Sequence, residues 1–132
     1  MEVRLLKDDD YDKLVGWWRW SRFPVPAREI LPEMGTGGLM VMCDGIDVCA
    51  GFIYFTNSKL VWLEFLVGNY EYRESNRKEA IVYLIESLCY LAKSKGYLGA
   101  FTSLKHSGLI NHYEKAGFVK GSSNTTEMTL LF

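Results

Sequence analysis

The sequence has little excess charge, few prolines and no long apolar run. Its 15 basic and 16 acidic residues leave a formal net charge of −1. Lys and Arg are interspersed with acids, so no basic face for nucleic acid or an anionic membrane is expected. No apolar stretch is long enough to cross a bilayer, and the opening MEVRLLKDDD is too charged to read as a signal peptide. The three cysteines, Cys43, Cys49 and Cys89, are odd in number and lack zinc spacing. They read as reduced thiols of a cytoplasmic protein, and no metal site is predicted. Repeats, linkers and low-complexity segments are also missing, so 132 residues are expected to form one domain, 1–132.

What is present is apolar and patterned. Hydrophobic residues make up 48% of the chain and aromatics 14%, a composition that orders. EVRLL alternates as a first strand. Asp8 or Asp9 can cap a following helix with Leu14, Val15, Trp17 and Trp18 on its apolar side. Pro24 and Pro26 break the aromatic run WWRWSRFPVP, with a helical turn expected at Ala27 to Leu31. LMVMC, IDVCAGFIYFT and KLVWLEFLV then read as an antiparallel meander, turned at Asp44-Gly45 and Asn57-Ser58. From Asn76 to Lys95 the apolar period becomes helical and stops at Gly96. YLGAFTSL reads as a strand and SGLINHYEKAG as a short helix. FVKGSS and TEMTLLF read as two closing strands. Strands on both sides of a crossover helix argue for a mixed sheet with helices on its faces.

This order, ending in LINHYEKAGF, resembles the GNAT superfamily of acetyl-CoA-dependent N-acetyltransferases over nearly the whole chain. LINHYEKAGF is similar to the family's A-x-x-x-Y-E-K-x-G-F segment. LEFLVGNYEYRESNRKEAIVYLIESLCYLAKSKGY is similar to its strand, pyrophosphate loop and long helix. The WWRWSRFPVP stretch also looks like that of small GNAT-like proteins carried by phages. The fold implied is α/β (α+β): a GNAT-like mixed, mostly antiparallel sheet of six to seven strands with helices on both faces.

The resemblance implies acetyl-CoA as cosubstrate and gives Tyr113 a role. The corresponding phenol lies near the cofactor sulfur, where it can protonate the leaving thiolate. Read as residues alone, Tyr113 could equally be the rim of a short amphipathic helix. The family loop, roughly Q/R-x-x-G-x-G/A, brings backbone N–H groups to the pyrophosphate at a helix N-terminus. Here the stretch YRESNRKEAI has no glycine. With Arg73 first, Asn76 and Lys78 take the glycine places; with Asn76 first, Glu79 and Ile81 do. Backbone donors of Asn76, Arg77 and Lys78, with the charges of Arg73 and Arg77, could hold a diphosphate. Alternatively Ser75 or Asn76 caps the helix and no phosphate binds. Leu66 and Val67 would offer backbone groups to the pantetheine arm, with a splay at Gly68.

Glu64 is the candidate base, if it has a raised pKa and reach; a salt-bridged or solvent-facing Glu is the plainer reading. His106 and His112 read as surface or capping residues. Trp17, Trp18, Trp20 and Phe23 lie where the family shapes its acceptor pocket. They are either that wall or core, with Trp20 and Arg22 the members expected outside. Tyr54 and Trp62 belong to core or cleft. The reading is acetyl transfer to a small-molecule or peptide primary amine by direct attack, with no nucleic acid or membrane partner and room for a homodimer. Two readings stand beside it: a non-catalytic GNAT-like binding protein with a degenerate loop, and transfer of another acyl group or to a macromolecule.

Overall fold

Strand β1 (Glu2–Leu5) leads into helix α1 (Asp10–Trp20) in the computed structural model, which describes residues 1–132. Two short turns, Arg28–Ile30 and Pro32–Gly35, precede the meander of β2 (Gly38–Cys43), β3 (Ile46–Phe55) and β4 (Leu60–Gly68). Helix α2 (Arg77–Ser94), strand β5 (Gly99–Phe101) and helix α3 (Ser107–Lys115) follow. The β2–β3 connection works because Asp44 and Gly45 both take left-handed φ, 50° and 78°, as a two-residue hairpin of the right twist requires. Gly96 (φ 88°) and Gly117 (φ 105°) end α2 and α3 in the same region.

The sheet is ordered β1-β2-β3-β4-β5, antiparallel except for the parallel β4–β5 pair. It has five strands, not six to seven. FVKGSS and TEMTLLF do not pair: beyond Phe118 no residue makes a backbone hydrogen bond. Alternation supplies the side-chain pattern of a strand, but a strand exists only where an edge accepts its N–H and C=O groups.

Helices cover both faces. On one, Leu14, Trp17 and Trp18 of α1 pack with Met40, Phe52 and Val67. On the other, Leu84, Ile85 and Leu88 of α2 pack with Val41, Ile53 and Leu63, and Tyr113 of α3 joins them. Trp17 and Trp18 are thus core, whereas Trp20, Arg22 and Phe23 lie outside.

The start of α1 departs from expectation. Asp9 holds the cap position without a side-chain hydrogen bond, and Asp8 pairs with Arg28 instead. The working acid is Asp10, only 3% exposed. It accepts the Lys7 amide (2.7 Å) and both guanidinium nitrogens of Arg4 (2.7 and 2.9 Å). Arg4 also reaches Asp47 on β3, which Lys13 of α1 joins, so the network ties three elements together. Burial alone would raise the Asp10 carboxyl; the Arg4 and Lys7 hydrogen bonds outweigh it and hold the pKa below the ordinary value.

Two register breaks shape the meander, one at Val41/Met42 and one between Ala50 and Phe52. In the second, Ala50 faces Val67 while Phe52 faces Glu64, so β4 holds Phe65 and Leu66 where β3 holds Gly51 alone. Phe65 takes φ 59°, an uncommon conformation for a bulky residue. A Cβ on Gly51 would stand 2.8 Å from Leu66 Cδ1 and 3.0 Å from its Cγ, so glycine is what admits the extra side chain.

Two stability predictions follow from this packing. Asp10→Asn is expected to cost about 2–3 kcal/mol at neutral pH in urea unfolding. Because the folded pKa of Asp10 is depressed, its contribution is full above about pH 4 and disappears as acid titrates the folded carboxyl. The wild-type and variant stabilities should therefore converge on acidification, and a constant gap would assign the effect to packing. Gly51→Ala should cost about 1–3 kcal/mol by overpacking Leu66; an unchanged urea midpoint would show that Leu66 moves aside freely.

Candidate active site

The two central strands part company halfway along β4. Pairing with β5 covers only Leu60–Gly99, Val61–Ala100 and Trp62–Phe101. Thr102 Oγ1 then donates to Leu63 O (2.8 Å), the last tie between the strands. From Glu64 to Gly68 β4 has no β5 partner, so this edge opens. Gly68, where a splay was expected, lies within this unpartnered stretch on the β5 side; on the β3 side, where it pairs with Cys49, the strand is separately irregular at Phe65–Leu66.

Glu64 stands at the mouth of this opening on the α1 face, opposite Phe52. It is half-buried and accepts the Trp62 indole N–H (2.8 Å). Burial raises its carboxyl; Trp62 and the Phe65 amide pull it back, and Glu127 adds to the rise. The net direction is upward, toward the range a general base needs. No cation pairs with it, so the salt-bridged alternative falls.

Tyr113 approaches from the α2 face and is 2% exposed. Phe118, after the Gly117 stop, meets its ring edge-on at 5.0 Å. This is core packing rather than a helix rim. Burial drives the phenol far above its ordinary value, with the nearby charge of Glu64 adding to the rise. Thr102, beside the phenol, spends its own hydroxyl hydrogen on Leu63 O. Glu64 and Tyr113 thus lie on opposite faces of the sheet, near enough for the Glu64 charge to act on the phenol. Trp62 lies beside the first and Thr102 beside the second. Trp62 was readable as sharing a strand face with Glu64 at i, i+2; Thr102 carried no signal beyond being the first polar residue after β5.

At the far end of β4, Asn76 precedes α2 but does not cap it. Its Oδ1 accepts from Tyr72 OH (2.6 Å), and its Nδ2 faces Cys43 Sγ (3.9 Å). Ser75 makes no cap bond either, so the capping alternative is not what the structure shows. The amides of Lys78 and Glu79 consequently have no acceptor within the protein. The Arg77 guanidinium lies over Gly68, with Nη2 3.6 Å from where a Cβ would stand, and makes no ion pair. Arg73 and Lys78 are exposed. Free amides, a positive helix end and three cations against Glu74 and Glu79 suit a diphosphate. Leu66 and Val67 lie on the strand between the two ends; their side chains pack against opposite faces, leaving the backbone for contact.

Not every candidate meets in one place. A cavity of about 1700 Å³ lies between β5, α3 and the C-terminal segment and is lined by Trp62, Phe101, Thr102 and Tyr113 among others. Glu64, Leu66, Val67 and residues 73–78 do not line it. His106 is exposed at the start of α3 without capping it. His112 has a buried Nδ1 without a partner and a pKa lowered by burial and by Lys115 and Lys78.

No family model matches the sequence, and no curated protein matches it significantly. Solved structures do match. TTHA1254 of Thermus thermophilus superposes with a TM-score of 0.70 at 15% identity, over 98% of this chain and 98% of its own. The ribosomal-protein-S18-alanine N-acetyltransferase of Escherichia coli gives 0.72 at 15% identity, over 92% and 79%. The N-acetylglutamate synthase of Neisseria gonorrhoeae, complexed with coenzyme A and N-acetyl-glutamate, gives 0.71 at 15%, over 92% of this chain and 28% of that one. At these identities the likeness is one of architecture, and the chain has the fold of the GNAT acetyltransferases.

Proposed function

We propose that the protein is an acetyl-CoA-dependent N-acetyltransferase that acetylates a primary amine by direct attack. The observation carrying this reading is the parted β4–β5 edge, with Glu64 on one side, Tyr113 on the other and unpaired amides beyond its far end. Glu64 to Gly68 spans about 13 Å of strand, a length an extended pantetheine arm can follow. Bound acetyl-CoA supplies a thioester, whose acetyl group passes to nitrogen as the thiol is released. Glu64 accepts the proton the amine gives up, and its raised pKa keeps it basic enough to do so. Tyr113 stays protonated throughout the neutral range and holds its phenolic hydrogen for the departing sulfur. The amides of Lys78 and Glu79, with Arg77, Arg73 and Lys78 side chains, hold the diphosphate; Leu66 and Val67 contribute backbone groups along the arm. The acceptor is a small-molecule or peptide amine. The three free thiols suit the reducing cytoplasm, and the unpaired β5 edge offers a surface for a homodimer.

Tyr113→Phe is expected to lower kcat severalfold or more while calorimetric affinity for acetyl-CoA stays nearly unchanged. An unaltered rate would remove Tyr113 from the mechanism, and no saturable binding at millimolar acetyl-CoA would favour the non-catalytic binding protein. Glu64 is active as a base only when ionised, so kcat/KM should climb with pH through a limb displaced above the ordinary Glu value of about 4.3. Glu64→Gln should abolish that limb and slow turnover about 10²-fold or more. A pH profile that keeps the limb in the variant would assign the proton to another acceptor.

A further inference from the structure

The loop before α2 holds a buried polar contact that the transfer chemistry itself does not use. Tyr72 is 6% exposed, and its hydroxyl donates to Asn76 Oδ1 at 2.6 Å. The other end of the same carboxamide, Nδ2, points to Sγ of buried Cys43 at 3.9 Å. Both ends of the Asn76 side chain are therefore held beneath the loop. Its backbone agrees, because φ −89° and ψ 11° lie outside the extended region that a capping residue takes. Yet Asn is among the residues that favour the position before a helix most strongly, where its side-chain oxygen accepts from the second or third amide. In α2 those amides belong to Lys78 and Glu79, and neither has an acceptor in the protein. They are also the two amides that hold the diphosphate in the proposed reaction. Beside them Arg77 makes no ion pair.

We propose that Tyr72 is a positioning residue for the cofactor, and that Asn76 is a built-in competitor for the diphosphate amides which the Tyr72 hydroxyl keeps turned away. The inference rests on the N-acetyltransferase reading and adds a control to its diphosphate site. Released from Tyr72, the Asn76 oxygen loses its donor while still half-buried, and the free amides one turn away are the donors nearest in sequence. An amide hydrogen given to Asn76 Oδ1 is no longer available to a phosphate oxygen. The capped loop satisfies its own helix end and so loses nothing in stability, whereas the ligand loses its partner. Affinity and stability are thereby uncoupled, which a loop merely damaged by substitution does not do.

The test compares the wild type, Tyr72→Phe and the double variant Tyr72→Phe/Asn76→Ala. Tyr72→Phe keeps the ring and removes only the hydroxyl. Calorimetric affinity for acetyl-CoA is expected to fall about tenfold in Tyr72→Phe, the loss of a hydrogen bond to a charged group. The urea midpoint should stay level or rise. In the double variant no oxygen remains at position 76, so affinity should climb back toward the wild-type value; a second lesion in a damaged loop would lower it further. With no ligand present, amide hydrogen exchange read by NMR should slow at Lys78 or Glu79 in Tyr72→Phe and return to the wild-type rate in the double variant. Unaltered affinity in Tyr72→Phe, or a double variant that binds no better than Tyr72→Phe, would overturn the inference. The two readings fail separately. If acetyl-CoA binds the wild type and Tyr72→Phe alike and exchange is unchanged, the cofactor site stands and the restraint does not. If the wild type binds no acetyl-CoA at millimolar concentration while exchange slows in Tyr72→Phe, Tyr72 does restrain Asn76 and the transferase reading falls.

Discussion

Between the Ala50–Val67 and Phe52–Glu64 pairs, β4 fits two residues where β3 has one. That surplus turns Glu64 and Phe65 to the same face and sends Leu66 to the other. Left-handed backbone at Phe65 costs about 1–2 kcal/mol. It is held because Phe65 packs with the α1-side core and meets Phe23 edge-on, while Leu66 settles over Gly51. A bulge adds local twist. β4 pairs with β5 for three residues only, and the edge past Leu63 is left without its neighbour.

The glycine-free loop looks unfit for phosphate when read as letters, because side chains stand where the fold's usual sequence has none. Its geometry leaves two amides at the helix end without an acceptor. An Asn before a helix normally turns its side chain onto the first amides. Asn76 does not, because Tyr72 holds its carboxamide from below. The amides of Lys78 and Glu79 are therefore left free by a hydrogen bond made elsewhere. Arg77 folds back over Gly68 instead of crowding the helix end.

Much of the architecture was legible. Asp44-Gly45 marked its hairpin, the 3.6-residue spacing marked α2, and Gly96 and Gly117 marked two helix ends, each a local rule acting on local residues. What failed depended on partners. TEMTLLF has a strand's alternation but no edge takes it up. The bulge sits inside VWLEFLV, which has no glycine at the break; the informative glycine, Gly51, is on the neighbouring strand. Likewise DDD announces a helix start without saying that Asp10, facing Arg4, is the acid that matters. At the site, Glu64 and Tyr113 were nameable, but that they lie on opposite faces of the sheet depends on the tertiary layering and not on a local motif.

The roles of these two groups then follow from environment rather than from residue type. Both are pushed upward by burial, but they start from different places. A phenol raised from its ordinary value near 10 cannot lose its proton at neutral pH, so it can only donate. A carboxyl raised above its ordinary value is a stronger base when ionised. Their mutual charge deepens the separation, since an ionised Glu64 further disfavours a phenolate at Tyr113. The sheet keeps the two on opposite faces, so in the proposed mechanism the base acts from the α1 side and the acid from the α2 side.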